Sequence, residues 1–288
     1  MSWPPLGRIV LGLALSLGLG VPSVSAATDF TLYTQNMKRF GHGSANWLNG
    51  QCQHLNSGLN SANVLVMQEA MIWQQLRRYC PNINQNTWYS FSITPPNQNP
   101  KYIENYLFAY RNPNVNYPQV APALANNAPQ ISNLTCNICA RTPVFVLFYA
   151  QQSQFAQKQY FWLGDFHATW KGANGLKGVA ARRAEAAAVG QIVSSLSAQY
   201  PVIVAGDWNL AGTATNFPWV PNQQASMVPS TTRTSLTRSA NYSEPYDHVV
   251  TSKGVAIAPV QLMGAPCQCW VWYRGASDHL GVLVKVGL

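Results

Sequence analysis

Residues 160–209 read YFWLGDFHATWKGANGLKGVAARRAEAAAVGQIVSSLSAQYPVIVAGDWN. The run from Tyr160 to His167 is apolar, aromatic and of strand length, and Val202 to Ala205 repeats that character. Between them, Val189, Ile192, Val193 and Leu196 recur at helical spacing within Val179 to Ala198, with Arg182, Arg183 and Glu185 in the first turns. The segment predicts strand, helix, strand. On either side of it the chain is dominated by further strand-length runs: Phe30 to Met37, Val64 to Gln68, Trp88 to Ile93, Tyr106 to Tyr110, Val144 to Tyr149, His248 to Thr251 and Gly281 to Val286. Weaker helical patterns cover Ala45 to Leu59 and Met71 to Tyr79. Many strands with few helices predict two packed sheets carrying helices on their outer faces. The Pro- and Asn-rich stretch from Asn112 to Thr135 reads as a long irregular excursion, with strands on both sides of it.

Composition narrows the function classes. Of 288 residues 47% are hydrophobic and 9% charged, against a usual charged share of about 25%. The long uncharged apolar run lies at the N-terminus, where Arg8 precedes Ile9 to Val21 and Val24-Ser25-Ala26 follows. That run is shorter than the roughly 20 residues a bilayer span needs, and its flanks match a secretory signal peptide cut near Ala26. Residues 1–26 are therefore expected to be a leader and 27–288 a single domain, placing the mature chain outside the cell or in the periplasm without stable membrane association. Ten Trp, 13 Tyr and ten Phe provide for a large core and argue against disorder. The net charge of +9 favours an anionic partner: nucleic acid, phosphorylated metabolite or lipid headgroup.

Six cysteines in an exported chain suggest disulfides. The C-x-x-C of Cys136 and Cys139 is expected to pair within itself, while Cys52, Cys80, Cys267 and Cys269 leave their connectivity open. A zinc site is the rival reading, disfavoured by an oxidising compartment.

With only nine acidic residues, position carries weight. Glu69, Asp207, Asp247 and Asp278 each end or begin an apolar strand-like run, where a carboxylate can project into a cleft without being buried unpaired. Singly, each could be a cap or turn residue. Their neighbours change that reading: Gln68-Glu69, Asp207-Trp208-Asn209, Asp247-His248 and Asp278-His279 set amides and imidazoles beside acids, as oxygen-ligated metal and general acid/base chemistry require.

The ordered segments YTQNM ending at Met37, VLVMQE ending at Glu69, YIENYLFAYR ending at Arg111, CNICARTPV from Cys136, LGDFHA around His167, AGDWN ending at Asn209, YDHVV from Tyr246 and SDHLGV from Ser277 resemble the endonuclease/exonuclease/phosphatase superfamily, and within it the secreted deoxyribonuclease I branch. The resemblance implies a four-layered α/β/β/α sandwich of two mostly antiparallel sheets whose strand ends meet in one cleft. It implies a metal site of Glu69, Asn36, Asp278 and Asp207 holding Mg²⁺, with Mn²⁺ or Ca²⁺ as further candidates. His279 would be the general base, oriented by Asp247, and His167 the acid, partnered by Glu104. Arg141 and Asn209 would steady charge on the phosphate, and Asp207 belongs to the same catalytic group. Tyr102 matches a tyrosine that contacts the DNA minor groove; an ordinary exposed loop tyrosine is the alternative. The implied activity is metal-dependent hydrolysis of DNA by a monomer with low sequence specificity. The alternatives are a related phosphodiesterase acting on RNA or a sphingolipid headgroup, a toxin-type deoxyribonuclease, and an inactive anion-binding module.

Some residues depart from that pattern. Met71 stands where the relative carries a groove-binding arginine, which puts duplex geometry in question. Asp165 is expected to be a solvated edge residue, with a role at a cation or at His167 as the alternative; His248 is expected to be structural. Lys171, Lys177, Arg182 and Arg183 read as a solvated helix face, or else as phosphate contacts. The sequons at Asn133 and Asn241 carry meaning only in a glycosylating host.

Overall fold

A computed structural model describes residues 28–40, 45–71, 78–80, 83, 87–96, 98, 103–114, 116–172, 175–220, 233–235, 244–263, 277 and 279–288. The leader expected over residues 1–26, Tyr102, Asp278, Cys267, Cys269, the Asn241 sequon and most of the helix expected over 71–79 lie outside those residues. Among the described residues no helix is long and apolar enough to cross a membrane.

The strands are β1 (Asp29–Asn36), β2 (Val64–Gln68), β3 (Trp88–Ile93), β4 (Tyr106–Arg111), β5 (Gln119–Pro122), β6 (Leu124–Ala125), β7 (Ala128–Pro129), β8 (Val144–Gln151), β9 (Gln159–His167), β10 (Val202–Asp207), β11 (Asp247–Thr251), β12 (Ala256–Met263) and β13 (Gly281–Gly287). Two longer helices are α1 (Ala45–Leu59) and α2 (Gly178–Leu196). One sheet has the order β12-β13-β1-β2-β4-β3 and the other β11-β10-β9-β8-β5. Each contains one parallel pair, β1 with β2 and β9 with β10, amid antiparallel neighbours.

Alternation along the strands sorts their side chains into three apolar layers. Phe30, Leu32, Val64, Val66 and Phe108 of the first sheet meet Val146, Phe148, Phe161, Leu163 and Ile203 of the second. Residues one step along, Tyr33, Leu65, Met67 and Leu107, face outward onto Leu48, Cys52, Leu55 and Leu59 of α1. On the other side Phe145, Leu147, Trp162, Val202 and Val204 pack on Ala186, Val189, Ile192, Val193 and Leu196 of α2. The result is the expected α/β/β/α sandwich. Each fully buried large side chain contributes about 1.5–3 kcal/mol; Phe30 and Phe161 stack across the two sheets with ring centroids 5.1 Å apart.

The stretch from Asn112 to Thr135 departs from its reading as irregular. Within it β5 extends the second sheet by pairing with β8, and β6 and β7 form a small hairpin. β12 also escapes sequence patterning: it carries Pro259, and its register with β13 shifts between Ile257 and Val260. Both β5 and β12 are edge strands, where proline's missing N–H is tolerated.

Cys52 pairs with Cys80, and Cys136 with Cys139 as its spacing predicts. His248 is buried with its Nε2 2.8 Å from the Leu210 carbonyl, in the structural role expected for it.

Candidate active site

The functional candidates gather at one end of the sandwich because the strands that carry them stop there together. Asn36 closes β1 and Glu69 follows β2, its parallel neighbour; His167 and Asp207 close the parallel β9 and β10 and are register partners. Asp247 opens antiparallel β11 opposite Asp207, Glu104 precedes β4, and His279 precedes β13. Both sheets thus contribute to one cluster. Gly206 permits the close approach: its φ is +146°, and a Cβ there would lie 1.9 Å from the Phe166 carbonyl oxygen. Glu69 (φ +56°) and Asn209 (φ +50°) adopt the left-handed region just past their strands, a conformation non-glycine residues hold only when the surroundings over-determine it.

The cluster contains two imidazole–carboxylate pairs facing one another. His279 Nδ1 lies 2.8 Å from Asp247 Oδ2, and His167 Nδ1 lies 3.0 and 3.1 Å from the two oxygens of Glu104. The opposite ring nitrogens converge on a single atom: Nε2 of His167 is 3.6 Å, and that of His279 3.5 Å, from Asp207 Oδ2. That same oxygen accepts from Asn36 Nδ2 at 3.0 Å, and the same amide donates to Glu69 Oε1 at 3.2 Å. The backbone N–H of Arg39 donates to the other Glu69 oxygen.

Electrostatics distinguish His167. Burial and the Arg141 guanidinium work against its charged form, but the Glu104 carboxylate, by charge and hydrogen bond, and Asp207 outweigh them, so its pKa stands above the ordinary histidine value. Glu104 is itself fully buried, and Arg141 Nε lies 3.2 Å from it. Arg141 also donates to the carbonyls of His167 and Ala168, at 2.9 and 2.8 Å. Asn209 donates its amide to the Ala168 carbonyl and its backbone N–H to Asp207 Oδ1. Arg141 and Asn209 therefore hold the loop after β9 as well as bordering the cluster.

Several supports were not legible as such in the sequence. Glu185 of α2 is buried and accepts from the backbone N–H groups of Ala140 and Thr169, both at 2.7 Å, tying the loop before Arg141 to the loop after His167. Its signal was an acid four residues from Ala181 and Val189 on the buried helix face. Gln98 clamps the Glu104 backbone by accepting from its N–H at 2.7 Å and donating to its carbonyl at 2.8 Å. Ser277 joins the first strand to His279, donating to the Asn36 carbonyl and accepting from the His279 N–H.

Asp165 is a correction: rather than a solvated edge residue it is fully buried between the sheets. Gln68 Nε2 donates to it at 2.7 Å. Burial, reinforced by nearby Glu104, raises its pKa well above the ordinary aspartate value despite hydrogen bonds from Gln68 and the Phe166 backbone, so the fold favours its neutral form. The basic group is also corrected in part. Arg182 is buried against the Trp170 ring, 4.9 Å from its centroid, and Arg183 donates to Asn216, while Lys171 and Lys177 are exposed.

Among the described residues two groups each bring their ligand-type atoms within 4.8 Å of one another: Glu69 with Glu104 and His167, and Asp207 with Asp247 and His279. Of the expected metal set, Glu69, Asn36 and Asp207 are joined through one amide. Two carboxylates held together by a neutral amide form an oxygen-rich anionic pocket, a donor set that fits a hard divalent cation.

Solved structures share this architecture. An endonuclease/exonuclease/phosphatase family protein from Bacteroides thetaiotaomicron superposes over 91% of this chain and 98% of its own, with a TM-score of 0.59 and 13% identity. The chain has the endonuclease/exonuclease/phosphatase fold. The human Nocturnin catalytic domain with bound sulfate matches 90% of this chain and 93% of its own, at a TM-score of 0.55 and 13% identity. D. rerio TDP2 complexed with single strand DNA product matches 90% and 98%, at 0.52 and 18%. No protein-family model and no curated protein matches the sequence. At these identities the likeness concerns the fold.

Proposed function

We propose that residues 27–288 form an exported, monomeric, divalent-metal-dependent endonuclease that hydrolyses DNA phosphodiester bonds with little sequence preference. The observation that carries this reading is the pair of imidazoles, each backed by its own carboxylate, whose free edges meet at Asp207. An anion-binding module has no need of two such pairs.

With Nδ1–H of His279 donated to Asp247, Nε2 is the nitrogen available to take a proton from water. The water oxygen forms the new P–O bond as the bond to the leaving oxygen breaks. His167, whose charged form Glu104 favours, gives its Nε2 proton to that oxygen. Arg141 and Asn209 border the phosphate position and oppose the charge that grows on it. Glu69, Asn36 and Asp207, together with Asp278, would hold the cation, which when bound supplies Lewis-acid stabilisation of the phosphate oxygens. Cys136–Cys139 keeps the segment before Arg141 short and closed.

Incubation of the mature chain with plasmid DNA, RNA and sphingomyelin, each with Mg²⁺ and with EDTA, tests the proposal. Plasmid nicked only with metal is the expected result. Release of a lipid headgroup alone, or of nucleotides from RNA alone, overturns the DNA assignment.

A further inference from the structure

Trp170 stands three residues beyond His167 with 57% of its surface exposed, whereas Trp88, Trp162 and Trp208 are buried. The indole is nevertheless held. The guanidinium of Arg182, itself only 8% exposed, lies over the ring at 4.9 Å, and the Tyr246 ring meets it edge-on at 5.8 Å and 63°. Its loop is fixed as well: Thr169 Oγ1 and Gly172 exchange hydrogen bonds at 3.1 Å, Gly178 N–H donates to the Lys171 carbonyl, and Glu185 accepts from Thr169. Tyr246 immediately precedes Asp247, which opens β11 beside the imidazole of His279, so this aromatic group borders the catalytic cluster. Exposed Lys171 is next in the chain.

We propose that Trp170, supported by Arg182 and Tyr246, is a stacking platform for an unpaired nucleobase next to the scissile phosphate, making single-stranded nucleic acid the preferred substrate. The inference rests on the nuclease reading and specifies its substrate. A large apolar ring immobilised at the mouth of a polar cleft gains nothing from folding through its open face, but that face matches the π-surface every base carries. A cation behind the ring adds to the attraction of such a platform for nucleic acid. Bases inside a duplex present no free face to it, and Met71 offers no charge to a minor groove.

The test compares a short single thymidine strand with the same strand built from abasic residues, using the wild-type chain, Trp170→Ala and Trp170→Phe in Mg²⁺. The wild type is expected to cleave the base-bearing strand with the lower KM, and to cleave it faster than its duplex. Trp170→Ala should shrink the KM advantage of base-bearing over abasic strand about tenfold, and Trp170→Phe should restore most of it. An undiminished advantage in Trp170→Ala overturns the platform while leaving phosphodiester cleavage in place. A wild-type chain that cleaves the duplex but neither single strand overturns the single-strand preference, and one that cleaves none of the three overturns the nuclease reading instead. Fluorescence anisotropy of the two strands in EDTA then still judges the base contact, and equal affinities for wild type and Trp170→Ala overturn it.

Discussion

His167 and His279 sit in similar frames, yet their partners give them different work. His279→Ala removes the proposed proton acceptor and is expected to lower kcat by about 10² or more with the circular-dichroism spectrum unchanged. Near-normal turnover would exclude it as the base. For His167 the proposed working form is the protonated one, so kcat should fall as pH rises through a pKa lying above the ordinary value of 6.5. In Glu104→Gln the carboxylate that outweighs burial and Arg141 is gone, and the alkaline limb of the kcat profile should move to lower pH; an unmoved limb would assign it to another group. Asp165 behaves in the opposite sense. The fold favours its neutral form, so above about pH 4 the unfolded chain holds fewer protons and stability falls as pH climbs towards the raised folded pKa. Asp165→Asn keeps an acceptor for Gln68 and removes that loss. Thermal unfolding should report a gain in stability at pH 7 that shrinks towards pH 4.

At the scale of elements, α2 does more than cover a sheet. Its Glu185 carboxylate joins two loops that carry Arg141 and His167, and Glu185→Gln would set an amide NH₂ against one of the two backbone donors. Turnover is expected to fall about tenfold with a smaller change in KM, since the groups are displaced rather than lost; a change confined to KM would make Glu185 a support of substrate binding only. The helix itself was legible, because Val189, Ile192, Val193 and Leu196 repeat at its period. So were the nine apolar runs that became strands. β5 and β12 were not, since proline, a residue that reads as a break in a strand, ends the first and stands inside the second. Of the candidate site, the acids at strand ends were visible because acidic residues are rare in this chain. The burial of Asp165 was not, because a strand's period fixes which residues share a face but not whether another sheet covers it. Gln98 holds the Glu104 backbone within its own loop and Ser277 reaches a carbonyl far away in the chain, and neither contact leaves a periodic pattern.

Across the whole molecule the excess of basic over acidic residues should make the reaction sensitive to ionic strength. With 18 Lys and Arg against nine Asp and Glu, affinity for polynucleotide is expected to decline linearly on a log–log plot against salt concentration. A flat response in KM would argue for an uncharged substrate. The layers predicted from alternation are present, and the apolar filling between them asks only for residues of suitable size on suitable faces. The rim is different in kind: Asn36, Glu69, Asp207 and Asp247 each occupy one strand end, and none can move along its strand without turning to the opposite face. Substitutions can therefore accumulate through the interior of such a scaffold, generation after generation, while a handful of end points stay put. Two chains built this way can drift until little common text remains and still superpose strand for strand.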